Sequence, residues 1–301
     1  MNSNIFIGVL WMILTTICFS LTLTVVRYIG TDMPATQAAF IRYLLGAIML
    51  APFWLPVMQR LLMDTKNQTS EAIKMKRKSL QFFILRGAIH SIAVILWFYA
   101  TIHIPIAEVT AIGYSIPLYV TIGAALFFGE HLKPYHLIAI SIGFIGAMVI
   151  IRPGFQQVSL GQLAQLLASP IFAASYLMAK RLSFKENSMV IVGMLSLFVS
   201  MAQIPMVLVV WETPDLFDVI CLGLVAILAT TGHYAMTQSF RLAPMTISQP
   251  VTYLQLVWAS IMGIYLFGDR FDIFVVLGGA MITLSATVIA YLDTKAPKDT
   301  I

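Results

Sequence analysis

The sequence is poor in charge, since only 10% of its 301 residues are Asp, Glu, Lys or Arg. A soluble domain carries about 25% charged residues because water must solvate its surface. Hydrophobic residues make up 59% of the chain. This composition excludes a water-soluble globular domain and favours an integral membrane protein whose main surface partner is lipid.

Cysteine is scarce as well, because only Cys18 and Cys221 are present and both lie in apolar runs. Two such residues form neither a disulfide framework nor a metal-binding spacing. The sequence also lacks the His-Glu-x-x-His and Gly-x-Ser-x-Gly patterns. Glu108 is the one acidic residue clearly inside an apolar segment, so paired acids at one depth are absent. We therefore expect neither an enzyme nor a bound metal or cofactor.

Ten apolar segments are long enough to cross a bilayer, which takes about 20 residues in a helix. Backbone groups in lipid must bond within their own segment, so an all-α protein with ten transmembrane helices is predicted. We number these spans 1 to 10; they cover residues 5–28, 35–59, 80–101, 105–129, 134–152, 159–181, 188–211, 216–240, 244–267 and 271–292.

Basic residues cluster in the one long connection, where six of the 18 Lys and Arg lie between Arg60 and Lys78. Beside a transmembrane helix such a run is typical of a cytoplasmic loop, so no nucleic-acid partner is expected. With the N-terminus inside, the cytoplasmic segments hold 13 Lys and Arg and the outer segments hold 3. Both termini are predicted to be cytoplasmic, in a bacterial inner membrane.

An internal repeat divides the chain into two parts. Residues 99–130 align without gaps to 238–269, so that Pro105 meets Pro244 and Tyr114 meets Tyr253. Each part holds five spans, and five is odd, so the second copy enters the membrane in the opposite sense. Inverted repeats with a site at their interface are a transporter design. The predicted boundaries are 1–154 for spans 1 to 5 and 155–301 for spans 6 to 10.

Six short motifs are spread along the first half of the chain, namely Phe40-Ile41-Arg42-Tyr43, Leu85-Arg86-Gly87, Phe98-Tyr99-Ala100, Ile104-Pro105-Ile106-Ala107-Glu108, Phe128-Gly129-Glu130 and Arg152-Pro153-Gly154. Together they resemble the EamA repeat of the drug/metabolite transporter superfamily. The family resemblance implies a 10-span exporter or permease with a central cavity lined by spans 1–4 and 6–9. One departure is Leu256, which stands where the second copy of the repeat would place a counterpart of Pro117.

Span 3 carries Arg86, His90 and Trp97, which lie within about 40° of one another on a helix. This stripe is a candidate substrate path, and His90 could also carry a proton. The structural alternative is that Arg86 extends to the cytoplasmic surface and His90 bonds a neighbouring helix. The sequence leaves both interpretations open.

Arg42 lies inside span 2 and could pair with an anionic substrate group, because its planar guanidinium suits carboxylates. Alternatively it extends outward or pairs with Glu108. Glu108 could take a proton during transport, but an acid in a first helical turn more simply complements the helix dipole. His90 and Glu108 are therefore the candidate coupling residues.

The repeat-related pair Tyr114 and Tyr253 falls near mid-span in spans 4 and 9. Other polar or aromatic residues share their depth or helix face, as expected for a cavity with apolar walls and few polar groups. These further candidate substrate-binding residues are Thr110, Tyr234, Gln249, Gln255 and Trp258.

The sequence favours a secondary transporter that works by alternating access, as a monomer or weak homodimer. Its substrate is expected to be a small polar or amphipathic metabolite, such as an amino acid or a carboxylate. The alternatives are an exchanger of S-adenosylmethionine or another nucleoside-like metabolite, or a membrane sensor that does not transport.

Overall fold

The computed structural model describes residues 3–30, 33–63, 70–116, 118–120, 122–123, 134–152, 157–183, 186–242, 251–252 and 254–295. Within these residues the chain is helical. The helices are α1 (Ser3–Ile29), α2 (Ala35–Met49), α3 (Ala51–Met63), α4 (Ser70–His103), α5 (Ile106–Gly113), α6 (Pro134–Ile151), α7 (Leu160–Ser183), α8 (Ser188–Val210), α9 (Leu216–Leu242), α10 (Leu254–Phe267) and α11 (Ile273–Lys295).

Five of the described helices, namely α1, α4, α7, α8 and α9, are long and apolar enough to cross a membrane. The bent pair α2 and α3 makes a sixth if it is counted as one span. Shorter apolar helices, among them α10 and α11, lie where the remaining spans are predicted. The all-helical membrane character is confirmed, while the full count of ten spans stays a prediction.

The predicted span 2 is not one straight helix, because α2 and α3 meet at an angle of 82°. Leu50 separates them, with ψ near 6° in place of a helical value. The Trp54 indole nitrogen donates to the carbonyl of Ala47 at 2.8 Å. This bond satisfies one of the carbonyls that the end of α2 leaves without an intrahelical partner.

Helices from the first half of the sequence pack on helices from the second. Gly87 on α4 lies against Phe198 on α8, and a Cβ on Gly146 would stand 2.8 Å from the carbonyl oxygen of Gly278. Small residues of this kind let two backbones approach closely in a membrane. The main pairings are α1 with α9, α4 with α7 and α8, α2 with α8, α5 with α10, and α6 with α11.

Candidate functional site

Two buried cations lie near one another in the interior. Arg42 and Arg86 expose 6% and 5% of their surface, and His90 exposes 1%. Tyr43 and Ser175, also buried, complete a group that we call the His90 cluster. Its members come from α2, α4 and α7, so the cluster joins the two halves of the sequence.

His90 is held from two sides. The Tyr43 hydroxyl lies 3.1 Å from its Nε2, and the Ser175 hydroxyl lies 2.9 Å from its Nδ1. The ring also meets Phe172 edge-on, with centroids 5.1 Å apart. The structural alternative, in which His90 bonds neighbouring helices, is therefore what the structure shows. Its part in substrate binding or proton transfer stays a prediction.

Arg86 is an anchor between helices. Its Nε donates to the carbonyl of Ser175 at 3.3 Å, and an η-nitrogen donates to the carbonyl of Ile191 at 3.3 Å. The side chain therefore stays buried and does not extend to a membrane surface. Both acceptors are neutral backbone groups on α7 and α8, so these contacts give its charge hydrogen bonds but no counter-ion among the described residues.

Arg42 has a different environment. Its guanidinium carbon lies 3.8 Å from the centroid of the Tyr43 ring, a cation–π contact. Glu108, its predicted alternative partner, instead accepts a hydrogen bond from Nε2 of Gln162. The ion pairs among the described residues lie elsewhere, so neither Arg42 nor Arg86 has a described carboxylate as partner.

His233 on α9 adds a fourth helix beside the cluster. The positive charges of Arg42 and Arg86 act on its ring, and Phe19 of α1 meets that ring edge-on at 5.0 Å. Sequence reasoning did not rank Tyr43, Phe172, Ser175 or His233 as site residues. Nothing in the adjacent sequence marked these residues as a site, because single hydroxyls and aromatic rings are common in packed transmembrane helices.

A second group of predicted residues ties α1, α5 and α10 together. The Tyr114 hydroxyl donates to the carbonyl of Thr252 at 3.2 Å and accepts from the Leu256 amide at 2.9 Å. The Trp258 indole donates to the Thr16 hydroxyl at 3.3 Å. The backbone carbonyl of Gln255 accepts from Ser20 at 3.3 Å.

The remaining candidates make other contacts. Trp97 packs edge-on against Phe98, with centroids 5.2 Å apart. The buried Thr110 hydroxyl donates to its own helix, at the carbonyl of Ile106. Tyr234 accepts from Gln238 at 2.7 Å. The predicted residues Gln249 and Tyr253 lie outside the described part of the chain.

Glu108 is positioned by a capping box at the start of α7. The Ser159 hydroxyl accepts from the Gln162 amide at 3.1 Å, and the Gln162 side-chain oxygen accepts from the Ser159 amide at 3.0 Å. These two bonds fix the Gln162 side chain so that its NH₂ group faces Glu108. The Ser-x-x-Gln spacing at 159–162 is a signal that could have identified Gln162 from sequence.

Near Glu108, a cavity of about 400 Å³ opens at one end of the helix bundle. The pairs Arg27–Asp269 and Arg152–Asp272 lie at this end, with nitrogen–oxygen distances of 2.5 Å in each pair. We call it the ion-pair end. These four residues were not among the candidate site residues expected from the sequence.

Buried cations between helices of the two sequence halves are a feature found in membrane transporters. The sequence profile of the EamA-like transporter family matches residues 6–152 and again residues 159–291, so the chain belongs to that family. The resemblance to drug/metabolite transporters is thereby confirmed. The name of the family is that of a transporter family.

Characterised relatives match nearly the whole chain. An S-adenosylmethionine uptake transporter of Rickettsia prowazekii is 25% identical, over 96% of this chain and 94% of the relative. A riboflavin transporter of Vibrio cholerae is 26% identical, with the same coverage. A pseudopaline exporter of Pseudomonas aeruginosa is 22% identical, over 94% of this chain and 95% of the relative.

One solved crystal structure shares the fold. It is 14% identical in sequence and superposes with a TM-score of 0.59, covering 98% of each chain. The relatives transport small molecules of different chemistry, so the substrate must be argued from the residues of this chain.

Proposed function

We propose that this protein is a secondary transporter that carries S-adenosylmethionine, or a closely similar carboxylate-bearing metabolite, across the bacterial inner membrane. It works by alternating access between two inverted five-span halves, residues 1–154 and 155–301. Both termini lie in the cytoplasm, as the unequal distribution of Lys and Arg favours.

The helix pairings support the inverted-repeat arrangement. In the proposed repeat, spans 1 to 5 correspond in order to spans 6 to 10. Exchanging the halves then converts the contact between α1 and α9 (spans 1 and 8) into a contact between α7 and α4 (spans 6 and 3). Both pairs are present. The pairs α2–α8, α5–α10 and α6–α11 map onto themselves. This is the pattern expected for a pseudo-twofold axis in the membrane plane.

Arg42 carries the proposal for the substrate. A charge buried in protein is costly unless it is paired, and arginine within a membrane is accordingly rare and functional. Arg42 has a ring face beside it but no described carboxylate, whereas Arg86 is bonded to two carbonyls. A substrate carboxylate would give Arg42 the planar, two-pronged partner that guanidinium prefers.

Aromatic side chains next to the cluster suit a planar heterocycle. Phe172 and Tyr176 on α7 are nearly parallel, at 28°, with centroids 6.1 Å apart, and Phe172 also touches His90. An adenine ring can stack on such faces. S-adenosylmethionine combines this ring with a carboxylate, whereas riboflavin has no carboxylate to pair with Arg42. The four Rickettsia relatives named for S-adenosylmethionine, at 25–27% identity, favour the same choice.

Uptake of labelled S-adenosylmethionine into proteoliposomes tests the proposal. We expect saturable uptake that unlabelled S-adenosylmethionine inhibits by competition. Decarboxylated S-adenosylmethionine should need at least about a tenfold higher concentration for the same inhibition, because it cannot pair with Arg42. Equal suppression by both compounds would contradict the assignment of Arg42. Uptake of riboflavin but not of S-adenosylmethionine would overturn the proposed substrate.

A further inference from the structure

Both ion pairs at the ion-pair end hold one short segment. Arg27, in the last turn of α1, binds Asp269 with both η-nitrogens, at 2.5 and 2.6 Å. Arg152, just after α6, binds Asp272 at 2.5 Å. The two arginines belong to the first half of the chain, and both aspartates lie between α10 and α11 in the second half.

Each guanidinium also covers an aromatic ring. Arg27 lies over Phe267 at 4.6 Å, and Arg152 lies over Phe274 at 4.7 Å. In both cases the ring and the carboxylate are two residues apart on the segment 267–274. Each cation is thus held between an acid and a ring of the other half, which is more specific than a simple surface pair.

The backbone around these pairs turns sharply. Gly268 has a φ of +66°, a left-handed value that glycine adopts without strain. Arg152 has a φ of +51°, the one left-handed value among the described residues that are not glycine. Such a residue persists only when its surroundings hold it. Here the Arg152 amide donates to the carbonyl of Met148 at 2.8 Å, as at many helix ends, and the bond to Asp272 and the contact with Phe274 hold the side chain.

The segment forms one wall of the cavity of about 400 Å³. Asp269, Asp272 and Arg152 line it together with Glu108 and Gln162. The two Arg–Asp pairs therefore border the cavity, which is lined by residues of both halves. Any opening of the halves at this end has to separate both pairs.

We propose that Arg27–Asp269 and Arg152–Asp272 are the outer gate of the transporter, closed in this structure. The inference rests on the proposed alternating access and orientation, and adds the residues that hold the outer side shut. The repeat places Glu130 at the position of Asp269, and an alignment of span 1 with span 6 at an offset of 153 residues places Lys180 at that of Arg27, so the charge pattern recurs in the sequence. Glu130 lies outside the described residues.

The gate is tested by cysteine labelling in nanodiscs, where both membrane faces are open to the reagent. Ser260, which lines the cavity, is replaced by Cys after Cys18 and Cys221, the two free cysteines, are changed to Ser. A charged thiol reagent then reports how often the cavity opens. No substrate is needed.

We expect slow labelling in this parent protein and about fivefold faster labelling after Arg27→Ala or Asp269→Ala, the effect of losing one partly exposed ion pair. The double variant should match the singles, because the two residues act through one interaction. Arg270→Ala is the matched control: it removes an exposed arginine from the same segment, and that arginine forms no ion pair with a described residue.

Unchanged labelling in both single variants would overturn the gate, as would additive effects in the double variant or an equal increase after Arg270→Ala. If Arg27→Ala does not yield folded protein, Asp269→Asn replaces it, because the amide keeps the shape and removes the charge. The outcome is separate from the proposed function. If the variants label faster as expected but S-adenosylmethionine is not taken up, only the proposed substrate is contradicted. If S-adenosylmethionine is taken up but labelling is unchanged in the variants, only the gate is contradicted.

Discussion

Ser175 on α7 and His90 on α4 are joined by a hydrogen bond of 2.9 Å between Oγ and Nδ1. The bond links residues 85 positions apart in the sequence. Tyr43 occupies the other ring nitrogen, so the imidazole has one fixed orientation between three helices. The ring therefore helps to hold the first half of the chain against the second beside Arg42.

Loss of the His90 ring is expected to destabilise the protein. His90→Leu leaves the hydroxyls of Tyr43 and Ser175 buried without their partner, which costs about 1–3 kcal/mol for an unsatisfied group. Ser175→Ala should cost less, and the double variant should cost no more than His90→Leu because the bond is shared. Thermal unfolding in detergent measures this. Additive losses would show that the two residues stabilise the fold independently.

Arg42 and Arg86 should respond to substitution in different ways. Arg42→Ala is expected to raise the KM for substrate by about tenfold or more, because a charged hydrogen-bonded contact to the carboxylate is lost. Arg86→Ala is expected mainly to lower the unfolding temperature, because it frees the carbonyls of Ser175 and Ile191. The two measurements are made on the same purified preparations.

Arg42→Lys is the control for this comparison, since it keeps the charge but not the planar fork. An intermediate KM would agree with a two-pronged contact. If Arg42→Ala leaves KM unchanged while Arg86→Ala raises it, the roles of the two arginines have been assigned the wrong way round.

Glu108 is expected to act through its hydrogen bond to Gln162. Glu108→Gln keeps the side-chain shape and an acceptor oxygen, so transport should stay above about half of the wild-type rate. Gln162→Ala removes both the capping bond to Ser159 and the donor to Glu108, and should cost about 1–2 kcal/mol of stability. Abolished transport in folded Glu108→Gln protein would instead favour the proton-coupling role predicted as the alternative.

Close contact of α6 with α11 depends on the absence of a side chain at Gly146. Gly146→Leu is expected to lower the unfolding temperature by several degrees, because a Cβ there already stands 2.8 Å from a backbone oxygen. Gly223→Leu is the matched control, since a Cβ at that glycine has no atom within 4 Å. Equal effects of both substitutions on thermal unfolding would contradict the predicted contact.

The helical class and the buried polar residues were predictable because both follow from local composition. The sequence identified Arg42, Arg86 and His90, but it could not separate their roles. The carbonyls that bind Arg86 lie 89 and 105 residues away in the chain. Only tertiary packing brings such distant partners together, and local sequence patterns do not indicate which helices pack.

Two further features differ in how well the sequence indicates them. The break at Leu50 has a local signal, because Pro52 follows it and has no amide hydrogen to donate to the end of α2, although span 2 was predicted as continuous. The gate pair joins residues 242 positions apart, and each of its members looked like an ordinary charge at a helix end. By contrast, the Ser159–Gln162 capping box is local and could have been identified.

Counterflow is the most direct test of alternating-access transport of S-adenosylmethionine, because only a carrier that alternates between the two sides of the membrane can produce it. Proteoliposomes are loaded with unlabelled S-adenosylmethionine and diluted into a trace of labelled compound. We expect a transient accumulation of label above its equilibrium level, strongly reduced in Arg42→Ala protein that remains folded. Accumulation no higher than in protein-free liposomes, with folded wild-type protein in the membrane, would contradict it.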